Sequence, residues 1–141
     1  MKQPIVPPAG ERVKLGDYDP RFTDGMEKDE GERVIEELRT RLNDLQDILY
    51  ADQRYALLVV LQAIDTGGKD GTIKSVFREV GPLGCGVASF GVPTDVELKH
   101  DYLWRYHLHT PERGKVMIFN RSYYESVLVE RVQKIVDKDT W

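Results

Sequence analysis

The chain has 141 residues, enough for one domain with a real core, and its 20 basic and 24 acidic residues leave a net charge of −4. That acidic balance excludes nonspecific nucleic-acid binding, which needs a basic surface, but leaves room for a local basic pocket facing a polyanion. The single cysteine, Cys85, excludes an intrachain disulfide and suits a reducing cytoplasm, and no stretch approaches the roughly 20 apolar residues that cross a bilayer.

Residues 1–25 carry Pro4, Pro7, Pro8 and Pro20 with Gly10, Gly16 and Gly25, and read as an extended arm rather than a signal peptide. Residues 26–141 read as an α/β domain. From about Glu27 to Tyr50, Val34, Leu38, Leu42, Leu45 and Leu49 recur at steps of three and four, which predicts an amphipathic helix packed on the core. Leu57–Leu61 is an uninterrupted aliphatic run, the pattern of a central strand buried on both faces. A glycine-rich turn follows, then a helix over Lys74–Val80 that should stop at Gly81-Pro82. Val87–Phe90 is a second strand. Thr94-Asp-Val-Glu97 is a capping box that should open a helix running toward His109. Lys115–Phe119 is a third strand, and Ser122-Tyr-Tyr-Glu125 is a second capping box opening a last helix toward Val136. The order, a helix and then βαβαβα, predicts a parallel sheet with right-handed crossovers. Ligands on such sheets bind beyond the carboxyl ends of the strands, where the loops Ala63–Lys69 and Asn120–Ser122 lie.

The first of these loops is the main chemical signal. Strand, glycine-rich turn with a lysine, then helix make a phosphate cradle, in which backbone N–H groups approach phosphate oxygens and the helix start adds partial positive charge. The frame Ala63-Ile-Asp-Thr-Gly-Gly68-Lys69-Asp70 departs twice from the usual P-loop (Walker A) pattern: alanine replaces the first glycine, and Asp70 replaces the hydroxyl residue that normally holds magnesium. Gly71 and Thr72 keep a hydroxyl nearby. Asp65 would repel a phosphate by several kcal/mol at an effective dielectric of ~20 unless a cation stood between them. A hard divalent ion, most simply Mg²⁺, resolves that conflict, so Asp65 reads as a metal ligand or proton acceptor, or else as a turn carboxylate on backbone N–H groups. On the second loop, Arg121 can clamp a phosphate with its planar fork, and Asn120, which stands where an acid is usual, can orient a metal-bound water. Lys74 and Arg78 could line a polyanion channel or be solvated helix cations. His100, His107 and His109 have no companion ligands and read as ordinary histidines, and Cys85 as a small turn residue. Tyr102 and Trp104 read as core packing.

Four motifs in order resemble the second family of polyphosphate kinases, the polyphosphate:nucleotide phosphotransferases. They are Asp65-Thr-Gly-Gly-Lys-Asp-Gly-Thr-Ile73; Val92-Pro-Thr94 with Glu97; Tyr102-Leu-Trp-Arg105 with His107; and Phe119-Asn-Arg-Ser122 with Tyr124-Glu125. The resemblance implies a P-loop kinase-like three-layer sandwich and phosphoryl transfer between inorganic polyphosphate and ADP, AMP or another nucleotide, with Mg²⁺ as cofactor. It resembles most the branch that phosphorylates both nucleoside mono- and diphosphates, where asparagine at the position of Asn120 is usual. Carried over by position, Asp65, Lys69 and Arg121 would be catalytic. Gly67, Gly68, Lys69, Asp70, Gly71, Thr72, Lys74 and Arg121 would bind phosphates, and Asp65 and Asn120 would hold the metal. The resemblance also implies a homo-oligomer, while the cysteine count, the acidic balance and the lack of a long apolar stretch point to a cytoplasmic chain that binds neither nucleic acid nor membrane. Family members continue past the position of Trp141 with further strands and an arginine-bearing lid. The chain is therefore expected to be an N-terminal portion with an incomplete sheet, an exposed sheet edge and weak or no turnover alone. An ATP-using small-molecule kinase, or a noncatalytic phosphate- or nucleotide-binding module, is the competing reading.

Overall fold

A computed structural model of the chain describes residues 6–134. The chain divides into two compact units, Met1–Glu36 and Glu37–Trp141, with the boundary inside the first long helix. The described part of the first unit before that helix has a single 3₁₀ turn, Leu15–Asp17, and otherwise irregular backbone. Its apolar side chains Val6, Leu15 and Phe22 are exposed. Residues 1–5 lie outside the described residues, as does the expected helix end near Val136.

Helix α1 spans Lys28–Asp52, close to the expected limits. Its buried face is rotated from the expected one. Arg39 and Gln46 are buried, whereas Leu38 and Leu45 of the leucine stripe are exposed. Contacts of Arg39 with Ser75 and of Gln46 with Gly84 accompany the difference. Arg39 Nε donates to the Ser75 carbonyl, and its Nη2 lies 3.3 Å from Ser75 Oγ. Ser75 sits in the last turn of α2 (Lys69–Phe77), where helix carbonyls lack intrahelical partners. The Gln46 amide occupies the space that a Cβ on Gly84 would need.

Three strands form one parallel sheet: β1 (Leu57–Leu61), β2 (Cys85–Ser89) and β3 (Val116–Asn120), in the order β1-β3-β2. The register pairs Leu61 with Asn120 on one side of β3 and Ser89 with Asn120 on the other. The α/β class and the parallel sheet are as expected. The expectation that β1 is central and buried on both faces is corrected: β3 holds the centre, and β1 has a strand partner on one side only among the described residues. Leu57, Leu58 and Val60 accordingly stay 47%, 40% and 44% exposed. The core gathers on β3 instead, around Val116, Ile118 and Phe119, with Ala88 and Phe90 from the β2 side. Ile118 is fully buried, worth about 1.5–3 kcal/mol on its own. The Phe90 ring lies 4.9 Å from Phe119 and 4.4 Å from Tyr106, in the tilted and edge-on geometries that aromatic quadrupoles favour.

The two capping boxes differ in outcome. At Thr94 the box closes reciprocally: Thr94 N–H donates to Glu97 Oε2 at 2.7 Å, and Glu97 N–H donates to Thr94 Oγ1 at 3.3 Å. The expected continuous helix toward His109 does not follow. A 3₁₀ turn, Glu97–Lys99, is separated from the four-residue helix α3, Trp104–His107. At the break Asp101 Oδ1 accepts from Leu103 N–H, a local side-chain bond that competes with helix. At Ser122 the box does not close through Glu125, whose carboxylate is engaged elsewhere. The segment that follows is π-helical over Ser126–Glu130 and then one short α-turn, α4 (Arg131–Gln133).

The hydrogen bonds from Thr94, and next the positive charge of Arg105, hold the Glu97 carboxyl below its ordinary range. A depressed carboxylate stabilises the fold above its unfolded pKa, and that contribution is lost as pH falls through the lower folded value. Glu97→Gln should therefore lower the thermal midpoint near neutrality and flatten its fall below the ordinary glutamate range. Thermal unfolding across an acid pH series checks this; identical pH profiles for the two proteins would contradict it.

Candidate active site

The parallel pairing of β1 with β3 places two loops side by side at the carboxyl end of the sheet. Residues 63–69 follow β1, and residues 120–122 close β3. Arg121 N–H extends the ladder one step by donating to the Leu61 carbonyl at 3.0 Å. The two loops enclose a cleft of about 320 Å³ lined by Asp65–Gly71, Asn120 and Arg121.

The loop after β1 is a tight turn. Gly67 N–H donates to the Ile64 carbonyl at 3.0 Å. A Cβ on Gly67 would lie 2.7 Å from Ala63 Cβ and 2.8 Å from the Ile64 carbonyl, closer than side chains tolerate. Gly68 has φ +83°, the left-handed conformation that glycine adopts without penalty, and it forms the N-cap of α2. Thr66 adopts φ +63° without that advantage. Helix α2 therefore begins at Lys69, five residues earlier than expected, so that its first turn, with amides that lack intrahelical acceptors, lines the cleft. Lys69 Nζ folds over the loop onto the Ala63 and Ile64 carbonyls at 2.8 and 3.1 Å. An ammonium has three N–H donors, so one remains for an anion.

The second loop supplies the opposite wall. Arg121 Nη2 donates to Asp65 Oδ1 at 2.8 Å, and its Nη1 lies 3.3 Å from Glu125 Oε1. The Arg121–Asp65 pair is open to solvent, so its value lies in geometry more than in stability. Asn120 Nδ2 donates to Asp70 Oδ1 at 2.7 Å, while its buried Oδ1 has no hydrogen-bond partner among the described residues.

The cleft thus brings together Asp65, Gly67, Gly68, Lys69, Asp70, Gly71, Asn120 and Arg121. Thr72 and Lys74 do not line it. Thr72 Oγ1 turns back to the Gly68 carbonyl at 3.1 Å, and Lys74 is exposed farther along α2. Among the described residues no three His, Cys, Asp or Glu side chains form a metal cluster. His100 stacks on Trp104 at 4.0 Å, and His109 meets Phe90 edge-on at 5.7 Å. Sequence reasoning passed over Gln62 and the contact between Glu125 and Arg121. Arg121 lies before the helix, with φ +74°, so its spacing of four residues to Glu125 gave no helical signal. Nothing local marked Gln62.

Comparison with known proteins gives a consistent picture. The family model for Polyphosphate kinase 2 (PPK2) matches residues 25–141. The chain is 50% identical over 143 aligned positions to an AMP/ADP-polyphosphate phosphotransferase of Meiothermus ruber, covering 100% of this chain and 53% of that protein. It is 48% identical over 126 positions to an ADP-polyphosphate phosphotransferase of Rhodopseudomonas palustris, covering 87% of this chain and 43% of that one. The chain therefore spans about half the length of these curated relatives. Among solved structures, polyphosphate kinase 2 from Arthrobacter aurescens superposes with a TM-score of 0.83 at 36% identity, covering 93% of this chain and 48% of that one.

The tightness of the loop is testable. Gly67→Ala should lower stability by about 1–3 kcal/mol, the usual cost of forcing a methyl into packed surroundings. Urea unfolding of the two proteins measures it; an unchanged midpoint would mean that the turn at Ile64–Gly67 is looser than described.

Proposed function

The chain belongs to the polyphosphate kinase 2 family, and from that membership we propose that its strand-end cleft is the phosphate cradle of a phosphotransferase. In this reading a phosphoryl group moves between inorganic polyphosphate and a nucleoside mono- or diphosphate. The observation that carries the reading is the convergence of a lysine, an arginine and a helix start on one cleft that also holds two carboxylates. Phosphoryl transfer asks for alignment and charge stabilisation more than for covalent chemistry.

Each residue has a role that its position supports. The first-turn amides of α2 and the remaining N–H of Lys69 bind the oxygens of the transferred group, and Lys69 offsets its growing charge. The Arg121 fork holds an adjoining phosphate in two-point contact. Asp65 keeps Arg121 extended across the cleft until substrate arrives. Gly67 and Gly68 keep the backbone close enough for its amides to reach. Asp70 adds a carboxylate that Asn120 orients. Thr72 and Lys74 stand at the margin, Thr72 securing the first turn of α2 and Lys74 contributing only long-range positive charge.

The donor set fits a hard divalent cation, with Mg²⁺ the simplest choice. The carboxylate of Asp65 and the orphaned Oδ1 of Asn120 are the oxygens that would hold it, beside Asp70. One or two carboxylates are the usual protein complement for Mg²⁺, with phosphates and water supplying the rest. Held there, such an ion would supply positive charge to offset that of the phosphates. The reading carries with it a cytoplasmic enzyme, since nucleotides and reduced thiols share that compartment, and the family likeness carries with it a homo-oligomer. No helix among the described residues is long and apolar enough to cross a membrane.

A noncatalytic phosphate-binding module is the second reading. It is favoured by the openness of the site, where the Asp65 side chain is 78% exposed and water has free access. Two measurements separate the readings. Titration of the purified chain with tripolyphosphate and Mg²⁺ should show binding, and Lys69→Ala should weaken it by about tenfold or more, the worth of a charged hydrogen bond. Incubation with polyphosphate, Mg²⁺ and ADP should yield slow but measurable ATP that Lys69→Ala abolishes, whereas no ATP at all would favour the noncatalytic module. Tripolyphosphate affinity that survives Lys69→Ala unchanged would remove the cradle. Fast nucleotide phosphorylation would show that the cleft needs no cover.

A further inference from the structure

Gln62 is the first residue beyond β1, and its side chain is half-buried between the two loops. Its Oε1 accepts two bonds from Ser122, from the backbone N–H at 3.0 Å and from Oγ at 3.1 Å. Its Nε2 donates to Glu125 Oε2 at 2.5 Å. Ser122 is only 2% exposed, so its donors have little recourse to water.

These bonds bracket a residue that does not hold its shape unaided. Arg121 has φ +74°, a left-handed conformation that costs a non-glycine residue of order 1–2 kcal/mol. The amides at and after it are fixed to consecutive residues at the end of β1: Arg121 N–H to the Leu61 carbonyl, and Ser122 N–H to Gln62 Oε1. In a capping box the Ser122 amide would belong to Glu125. Gln62 takes it instead, which releases Glu125 Oε1 to face Arg121 Nη1. The chemistry of the position is restrictive. It must accept from two donors and donate to a carboxylate, and at this length only a primary amide does both.

We infer that Gln62 is a positioning residue, setting the Arg121 guanidinium across the cleft through Ser122 and Glu125. The consequence for phosphate binding rests on the reading of the cleft given above; the positioning itself does not. Gln62→Glu sets a carboxylate against that of Glu125. The reciprocal pair Gln62→Glu with Glu125→Gln restores every bond with the roles exchanged. The carboxylate introduced at position 62 still accepts from Ser122 and now also accepts from the amide introduced at position 125, whose oxygen still faces Arg121.

The experiment compares wild type, Q62E, E125Q and Q62E/E125Q by amide exchange at Ser122, by the ¹⁵Nε signal of Arg121, and by tripolyphosphate affinity with and without Arg121→Ala. Q62E should speed Ser122 exchange about tenfold, shift the arginine signal and weaken tripolyphosphate binding about tenfold, with no further loss on adding Arg121→Ala. The reciprocal pair should return all three to within about threefold of wild type. If Q62E fails to fold, E125Q decides: a shifted arginine signal with weaker tripolyphosphate binding supports the inference, and an unmoved signal overturns it. Wild-type exchange and an unmoved arginine signal in Q62E would overturn it, as would a defect that the reciprocal pair leaves in place. If wild type itself fails to bind tripolyphosphate, the phosphate reading falls, while the exchange and arginine signals still decide the role of Gln62.

Discussion

The parallel register of β1 on β3 governs the rest of the site. Leu61 pairs with Asn120, and the ladder runs one step further through the Arg121 amide. The chain leaves both strands at the same level, so a loop built on glycines and a loop built on Asn120-Arg121-Ser122 face each other across a narrow cleft. A slip of one residue would turn every β1 side chain to the opposite face and part Asp65 from Arg121. The buried centre of β3, with Ile118 fully enclosed, opposes such a slip.

Charge within the cleft is balanced before any ligand arrives. Lys69 and Arg121 stand against Asp65 and Asp70, two cations against two carboxylates. On the proposed reading, a phosphate chain would gain less from formal side-chain charge there than from nearby donors: the helix amides, one ammonium N–H and the guanidinium. The balance also gives the proposed divalent cation a physical purpose. Without it, carboxylate and phosphate oxygens would crowd the same small volume with like charge.

Much of this was legible in the amino-acid order. The aliphatic run at Leu57–Leu61, the glycine turn and the lysine mark a strand, a loop and a following helix by local chemistry, although the helix begins at Lys69 and not at Lys74. Phe119-Asn-Arg-Ser122 marked the opposing loop, and eight of the proposed site residues meet in one cleft. What periodicity could not give was depth. Leu57–Leu61 carries the pattern of a central strand, yet its burial depends on neighbours that local sequence does not supply. In α1 the leucine stripe pointed one way, and the buried face, which carries the contacts of Arg39 with Ser75 and of Gln46 beside Gly84, lies another. Such contacts join residues dozens of positions apart and leave no local trace. The same holds for Gln62, whose partners are 60 and 63 positions away.

The central claim is that the two loops act as one anion-binding unit. Titrating isotopically labelled chain with tripolyphosphate in Mg²⁺, while following the amides of residues 67–71 and the side-chain nitrogen of Arg121, tests it most directly. The account predicts that both sets of signals move together with one midpoint. Movement confined to a single loop, or two distinct midpoints, would contradict it.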